Sequence, residues 1–382
     1  MDLQNNNKII YISNEDYNKI NYIINTLNKK YSANLEYVKN QEINCIKNNL
    51  IYNSQELTQY HIQLIKNIIK DVLNYYKDDL PNLELCFLSG SFARETNKYS
   101  SDLDLHFYYK DNLYNYKIEE IINYIISKVI KKNRDVIDPV FILNVDKVKR
   151  KEIMSLMDNS ILDIKLKCDL GEFNYTYSSG KKNRFWVQYV NSRNIYDLKN
   201  YILNEILNDN REWAHCFNII YDKNDAFKNL YDDLLNEEKS LINQNYINSK
   251  IEKLSNDLKD NSCVNSIKIS LYKRVYQSKH FDLIYEYLSI IRFLLINMGE
   301  NVKYLKFYEL SELSGKKINS YYTSKKIMEY FMEVKKLAQY CINHNIKYGL
   351  HTDDIINYDH TNLDIKWDEV KNSIEKVIHY ER

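Results

Sequence analysis

The sequence predicts an α+β fold in its front half and an all-helical C-terminal bundle behind it, on three observations. Apolar residues recur at helical intervals over Leu57–Leu73. Apolar and polar residues then alternate at period two over 102–109 and again over 161–170. After about residue 235 the strand pattern stops and only helical periodicities remain. At 382 residues, 44% hydrophobic and 27% charged, the chain is long and apolar enough to bury two or three cores. The expected organisation is an N-terminal extension over 1–50, an α+β domain over 51–235 on which it packs, and a helical domain over 236–382. The polar stretch Asn236–Asn245 marks the junction, and no internal repeat is evident.

The first fifty residues are rich in asparagine, with one helix opening at Ser13; Asp16 stands three positions on, a capping-box spacing. Asn53 and Glu56 repeat that spacing at the start of a second helix, whose apolar face is Leu57, Leu64, Ile65, Ile68, Ile69, Val72 and Leu73. Pro81 closes it. LELCFLSG, residues 83–90, reads as a strand running into a Gly-Ser turn. In DLDLHFYY, residues 102–109, the alternation puts Asp102, Asp104 and His106 on one face and Leu103, Leu105 and Phe107 on the other. An amphipathic helix follows at about 116–131, then strands within 136–145 and 161–170 with a short helix between them. In the second of these strands Asp163, Lys165, Lys167 and Asp169 share a face. A hairpin or loop over 171–190 leads to a helix near 195–209, and the back half contains helices over 281–298, 323–343 and about 365–380.

Composition narrows the function classes. The 53 basic and 52 acidic residues leave a net charge of +1, with only small basic clusters at Lys147–Lys151 and Lys303–Lys306. Enzymes that grip long nucleic acid usually show a basic stripe, so that partner is disfavoured. The six cysteines are widely separated, with no CxxC and no matching histidines, as expected of reduced thiols in a cytoplasmic protein. The N-terminus lacks the order of a signal peptide. The greasiest stretch, Phe281–Met298, contains Asp282, Glu286 and Arg292, which suits a buried helix and not a membrane span. The 36 tyrosines accompany an excess of Asn, Lys and Ile and read as compositional. No GxxxxGK[ST], HExxH or Rossmann fingerprint is present.

The chemistry concentrates in LSGSFARETNKYSSDLDL, residues 88–105. Two carboxylates at i and i+2 of a strand point the same way and can share one hard cation, such as Mg²⁺, together with substrate phosphates. The ion cancels their mutual repulsion. Gly90 lets a phosphate approach the backbone, and Ser91 adds a hydroxyl and an N–H. The chain holds only six glycines, which makes one placed here more telling. Arg94 can meet a phosphate oxygen or pair with Glu95 or Asp102. These are the parts that transfer of a phosphoryl-linked group requires, since that chemistry rests on positioning and charge neutralisation. His106 shares the carboxylate face, as a donor or metal contact or as an ordinary strand histidine.

Gly90-Ser91 through Asp102-x-Asp104 resembles the signature of the DNA-polymerase-β-like nucleotidyltransferase superfamily, and Ala93-Arg94 and Ser101 match a form common in its small bacterial members. The resemblance implies a mixed sheet flanked by helices, two Mg²⁺ ions, an NTP donor and a third carboxylate on a later strand. It implies Asp102, Asp104 and Asp163 as catalytic metal ligands, with Asp138 the alternative to Asp163. It also implies Gly90, Ser91, Arg94 and Ser101 as nucleotide-binding residues. Ile220-Tyr221-Asp222-Lys223 is similar to a segment closing the catalytic domain of antibiotic adenylyltransferases, where Lys223 would touch a phosphate; the alternative is a solvated lysine. Ile291–Asn297 with Lys303–Lys306 is similar to their helical C-terminal domain, which covers the cleft and supplies acceptor-binding acids, here Glu286 or Glu309.

The expected activity is metal-dependent transfer of a nucleoside monophosphate, AMP from ATP first, onto a hydroxyl of a small molecule such as an aminoglycoside or lincosamide. Two alternatives stand beside it: transfer to a protein tyrosine or RNA end, as in toxin–antitoxin nucleotidyltransferases, and a non-catalytic nucleotide-sensing module.

Overall fold

The structure is a computed structural model that describes residues 8–99, 101, 103–110, 116–130, 140–144, 164–166, 173–175, 195, 198–199, 217–259, 273–302, 307–318, 320–343, 359 and 361–380.

A short strand, β1 (Lys8–Ile12), leads into the long helix α1 (Asn14–Asn48). Ser13 caps α1 as its spacing predicts: its Oγ accepts the Asp16 N–H at 3.1 Å. Asn49 ends the helix in the left-handed region at φ 56, where asparagine is tolerated. The chain re-enters a helix almost at once, α2 (Ile51–Tyr75) with Leu50 as its cap, and Ser54 N–H already bonds Leu50 O at 3.0 Å. Asn53 and Glu56 therefore lie inside α2, and the cap expected at Asn53 does not form. The interior face of α2, including Ile65, Ile68, Ile69 and Val72, is fully buried.

β2 (Leu83–Leu88) is the centre of a three-stranded antiparallel sheet, between β3 (Leu105–Tyr109) and the strand Asn218–Asp222. The remaining elements of the front half are a one-turn helix α3 (Gly90–Ala93), α4 (Tyr116–Val129), β4 (Val140–Asn144) and the hairpin β5 (Ile164–Leu166) with β6 (Phe173–Tyr175). The strand Asn218–Asp222 is thus β7. Sequence periodicity did not single it out, because five residues with a partly exposed face carry little alternation. The expected α+β class holds, and among the described residues the strands form this antiparallel sheet, a parallel pair of β1 with β4 and the antiparallel pair of β5 with β6. A parallel partner drawn from the first twelve residues could not be read locally, since such pairing needs a long crossover.

The sheet is buried on both sides, and its pleat decides which side each residue serves. Leu83, Cys86 and Leu88 with Phe107 and Tyr109 join the core of α1, α2 and α4. Leu85 and Phe87 with Tyr108 join the core of the helical half. A bulge between Leu83 and Leu85 shifts the β2–β3 register there, after which the alternation is regular. Tyr109 Oη donates to buried Glu119 Oε1 at 2.7 Å and pins α4 to β3.

The back half is helical throughout its described residues: α5 (Ala226–Leu241), α6 (Gln244–Lys259), α7 (Lys273–Asn297), α8 (Phe307–Lys317), α9 (Tyr321–Asn343) and α10 (Thr361–Tyr380). The junction expected near 236 falls inside α5, whose Phe227, Tyr231 and Leu234 share one core with Leu85 and Phe87 of the sheet. Buried Arg292 of α7 donates to Val302 O at 2.9 Å and Tyr231 Oη at 3.0 Å, tying α7 to α5. No helix among the described residues is long and apolar enough to cross a membrane.

His280 of α7 is buried in this bundle, stacked at 3.9 Å on Trp367 of α10, with its Nδ1 2.5 Å from Tyr330 Oη. Burial pulls its pKa down to about 3. An unfolded histidine takes up its proton below about pH 6.5, whereas the native one does not until about pH 3. Stability from this site is therefore present at neutral pH and lost as the pH falls through that interval, by about 1.4 kcal/mol per pH unit. Urea unfolding of His280→Phe, which keeps a stacked ring but cannot titrate, should show an acid limb shallower by about that slope between pH 6 and 4. An unchanged acid limb would refute the assignment.

Candidate active site

β2 ends at Leu88, and the chain turns at Ser89 into α3. Gly90 sits at φ +61, a backbone conformation that side chains disfavour, and the space a Cβ would take is already filled. A Cβ built there would lie 1.9 Å from Asp104 Oδ2. The Asp104 carboxylate is therefore packed directly against the backbone of the Gly-Ser turn. The one-turn helix is closed by Ala93 N–H to Ser89 O at 3.3 Å, Arg94 N–H to Gly90 O at 3.1 Å and Thr96 N–H to Ser91 O at 3.0 Å. Among the described residues the buried Ser91 hydroxyl oxygen has no hydrogen-bond partner.

Ser89 fixes this arrangement. Its N–H donates to Asp104 O at 2.9 Å, and its Oγ lies 2.7 Å from His106 Nε2. The imidazole stacks on Phe87 at 5.0 Å. His106 is thus a buried strand histidine that joins the end of β2 to the start of β3, the second of its two sequence readings. His106 and Tyr108 share the face of β3 that carries Phe87 and the helical-half core, and Asp104 stands immediately before the strand, which begins at Leu105 and not at residue 102 as expected. On the other edge of β2, Asn218 of β7 donates its Nδ2 to Phe92 O at 3.2 Å and holds α3 from behind.

Arg94 does not stand alone beside the turn. Its guanidinium lies 4.3 Å over the ring of Tyr285 from α7, and Tyr285 Oη is 3.3 Å from Thr96 Oγ1. Thr96 in turn lines a half-open pocket with Ser54 and Thr58 of α2 and Phe331, Met332 and Lys335 of α9. The Lys335 ammonium donates to Ser54 Oγ at 2.9 Å and Thr58 Oγ1 at 3.0 Å, with Glu42 Oε2 4.0 Å away. Burial lowers the Lys335 pKa, opposed by Glu42.

Gly90, Ser91 and Asp104 thus meet at the turn and Arg94 follows them through its backbone bond to Gly90, while other candidates have different places. Ser101 is buried, and its Oγ accepts the Lys98 N–H at 2.8 Å, closing a turn on the way to β3. Lys223 donates to Pro81 O at 3.0 Å and pairs with Glu84 at 3.3 Å. β7 runs antiparallel to β2, with Asp222 opposite Leu85, so Lys223 sits at the far end of β2, roughly 15 Å of strand from Gly90. The phosphate contact expected of it is corrected to a surface ion pair. Glu286, next to Tyr285 in sequence, faces α6 and pairs with Lys253 at 3.3 Å. Burial raises its pKa, and Lys253 opposes the shift. Glu309 is exposed in the first turn of α8. Asp102, Asp163 and Asp138 lie outside the described residues, as do Lys147–Lys151 and Lys303–Lys306. Among the described residues no group of three or more His, Cys, Asp or Glu could hold a metal.

The sequence reading missed Ser89, Tyr285 and Asn218. Ser89 stands inside the LSGS run and could have been weighed with it; the other two come from elements remote in sequence.

Residues 65–168 match a family model described as a nucleotidyltransferase domain. The chain carries a nucleotidyltransferase domain. The match begins inside α2 and runs through β2, the Gly-Ser turn, β3 and α4 to β5, so the cradle lies within it. No curated protein matches the chain. The matched residues end at 168, so Tyr285, Asn218 and Lys335 lie beyond the match, although Asn218 belongs to the same sheet as β2.

Gly90→Ala should damage this site doubly, by placing a Cβ in the left-handed region and by driving the Asp104 carboxylate off the turn. A loss of about 2–4 kcal/mol is expected in chemical unfolding. Retention of wild-type stability would show that the close approach is dispensable.

Proposed function

We propose that the protein is a metal-dependent nucleotidyltransferase that moves a nucleoside monophosphate, AMP from ATP first, onto a hydroxyl of a small molecule. The observation that carries the proposal is the contact between Asp104 and Gly90. It puts a carboxylate and the buried Ser91 hydroxyl at one strand-to-helix turn inside the segment that matches a nucleotidyltransferase domain. Carboxylate and hydroxyl oxygens are the donor set a hard divalent cation prefers. Asp104, with Asp102 as its partner two positions earlier, would hold Mg²⁺, which supplies neutralisation of phosphate charge.

In the reaction the acceptor oxygen bonds the α-phosphorus of the NTP, and the bond from that phosphorus to the bridging oxygen breaks. Pyrophosphate leaves, and the hydroxyl proton passes to a base. Asp163 is the proposed base and third carboxylate, with Asp138 the alternative. Gly90 and Ser91 would seat the phosphates, and Arg94 would present its fork of N–H donors to them. A small acceptor is favoured by the near-balanced charge of +1, which offers no basic stripe for a long nucleic acid. An aminoglycoside or lincosamide is the first acceptor class to try.

The test is transfer of label from ATP to a panel of hydroxylated small molecules with Mg²⁺ present. Asp104→Asn and Asp102→Asn should each lower the rate at least about a hundredfold, the effect of losing a metal-holding carboxylate. Label on protein or RNA alone would move the acceptor to a macromolecule. No transfer with any NTP, or activity surviving both substitutions, would end the proposal.

A further inference from the structure

We propose that Tyr285 is a positioning residue for the nucleotide: helix α7 reaches the Gly-Ser turn through this side chain and sets where Arg94 meets the phosphates. The inference rests on the nucleotide-binding reading of Arg94. Tyr285 is buried and makes two contacts with the segment that follows the turn. Its ring lies under the Arg94 guanidinium at 4.3 Å, and its hydroxyl is 3.3 Å from Thr96 Oγ1. Arg94 N–H bonds Gly90 O, and Thr96 N–H bonds Ser91 O, so both residues that Tyr285 touches are tied by their backbones to the two cradle residues.

The chemistry of the contact suits positioning. A ring engages the face of a guanidinium, whereas the five N–H donors lie in its plane. An arginine carried on a ring can still offer that plane to phosphate oxygens in bidentate fashion. A long arginine side chain otherwise loses rotamer freedom when it binds, and a ring that already holds it reduces that loss. Glu95, between the two contacted residues, adopts φ +61, an uncommon conformation for a glutamate, so the segment is held in one defined path. Tyr285 belongs to α7, outside the matched nucleotidyltransferase domain, so the helical half helps define the nucleotide site and does more than cover it.

The experiment is a double-mutant cycle on Mg²⁺-ATP binding by calorimetry, using the full chain. Tyr285→Leu should weaken binding about tenfold, within the range of a partly desolvated cation–π contact, and Tyr285→Phe, which keeps the ring, should stay within about threefold of wild type. Arg94→Ala should weaken binding as well, and adding Tyr285→Leu to it should weaken it no further, since the tyrosine acts through the arginine. Thermal melting checks each fold, and Tyr285→Met replaces the leucine variant if that one unfolds. Independent, additive losses from Tyr285 and Arg94, or equal losses from Phe and Leu, would overturn the inference while leaving nucleotide binding intact. Failure of wild-type protein to bind any Mg²⁺-NTP would overturn the nucleotide reading, and this inference with it.

Discussion

Asp104 can lie against the turn after β2 only because residue 90 has no side chain. The carboxylate oxygen occupies the volume of a Cβ, 1.9 Å from where that atom would be, and the backbone there is left-handed. Two independent demands, space and dihedral angle, thus fall on one residue, and glycine alone meets both without strain. The rest of the site follows from keeping that contact in register. Ser89 bonds the Asp104 carbonyl and the His106 ring, His106 stacks on Phe87, and Asn218 braces α3 from the opposite edge of the sheet.

Burial of the sheet on both faces keeps this contact in register. A carboxylate held at a strand end needs a strand that cannot slip, because a shift of one residue would exchange its two faces. β2 and β3 send alternate side chains into two different cores, one built from α1, α2 and α4 and the other from the helical half. Slippage would turn buried side chains toward the wrong neighbours on both sides at once. The helical half is therefore part of what fixes the site, through Phe87 packing in its core and through Tyr285 touching Arg94.

The buried polar groups around the site serve this rigidity. The Asn97 amide meets His61 of α2 at 3.1 Å, and Glu42 of α1 accepts the Tyr99 N–H with both oxygens at 3.0 and 2.9 Å. The chain from the Gly-Ser turn to β3 is thus anchored to two helices that precede it by tens of residues. An anchored connection keeps the ends of β2 and β3 in fixed relation, which a site built from two strand ends requires.

What the sequence alone determined were the local facts: the Ser13 cap, the apolar face of α2, the β2 strand running into Gly90-Ser91, and the alternation of His106 and Phe107 between the two faces of β3. Each rests on interactions within a few residues, where helical and strand periods and capping chemistry leave a direct trace. Tertiary structure decided the rest. Which strand pairs with β1, where β7 joins the sheet, that Lys223 ends at the far end of β2 and that Tyr285 reaches Arg94 all depend on contacts between residues distant in the chain. Such contacts form by shape and burial among many possible partners. A single residue such as Tyr285, one tyrosine among 36, carries no local pattern that would mark it.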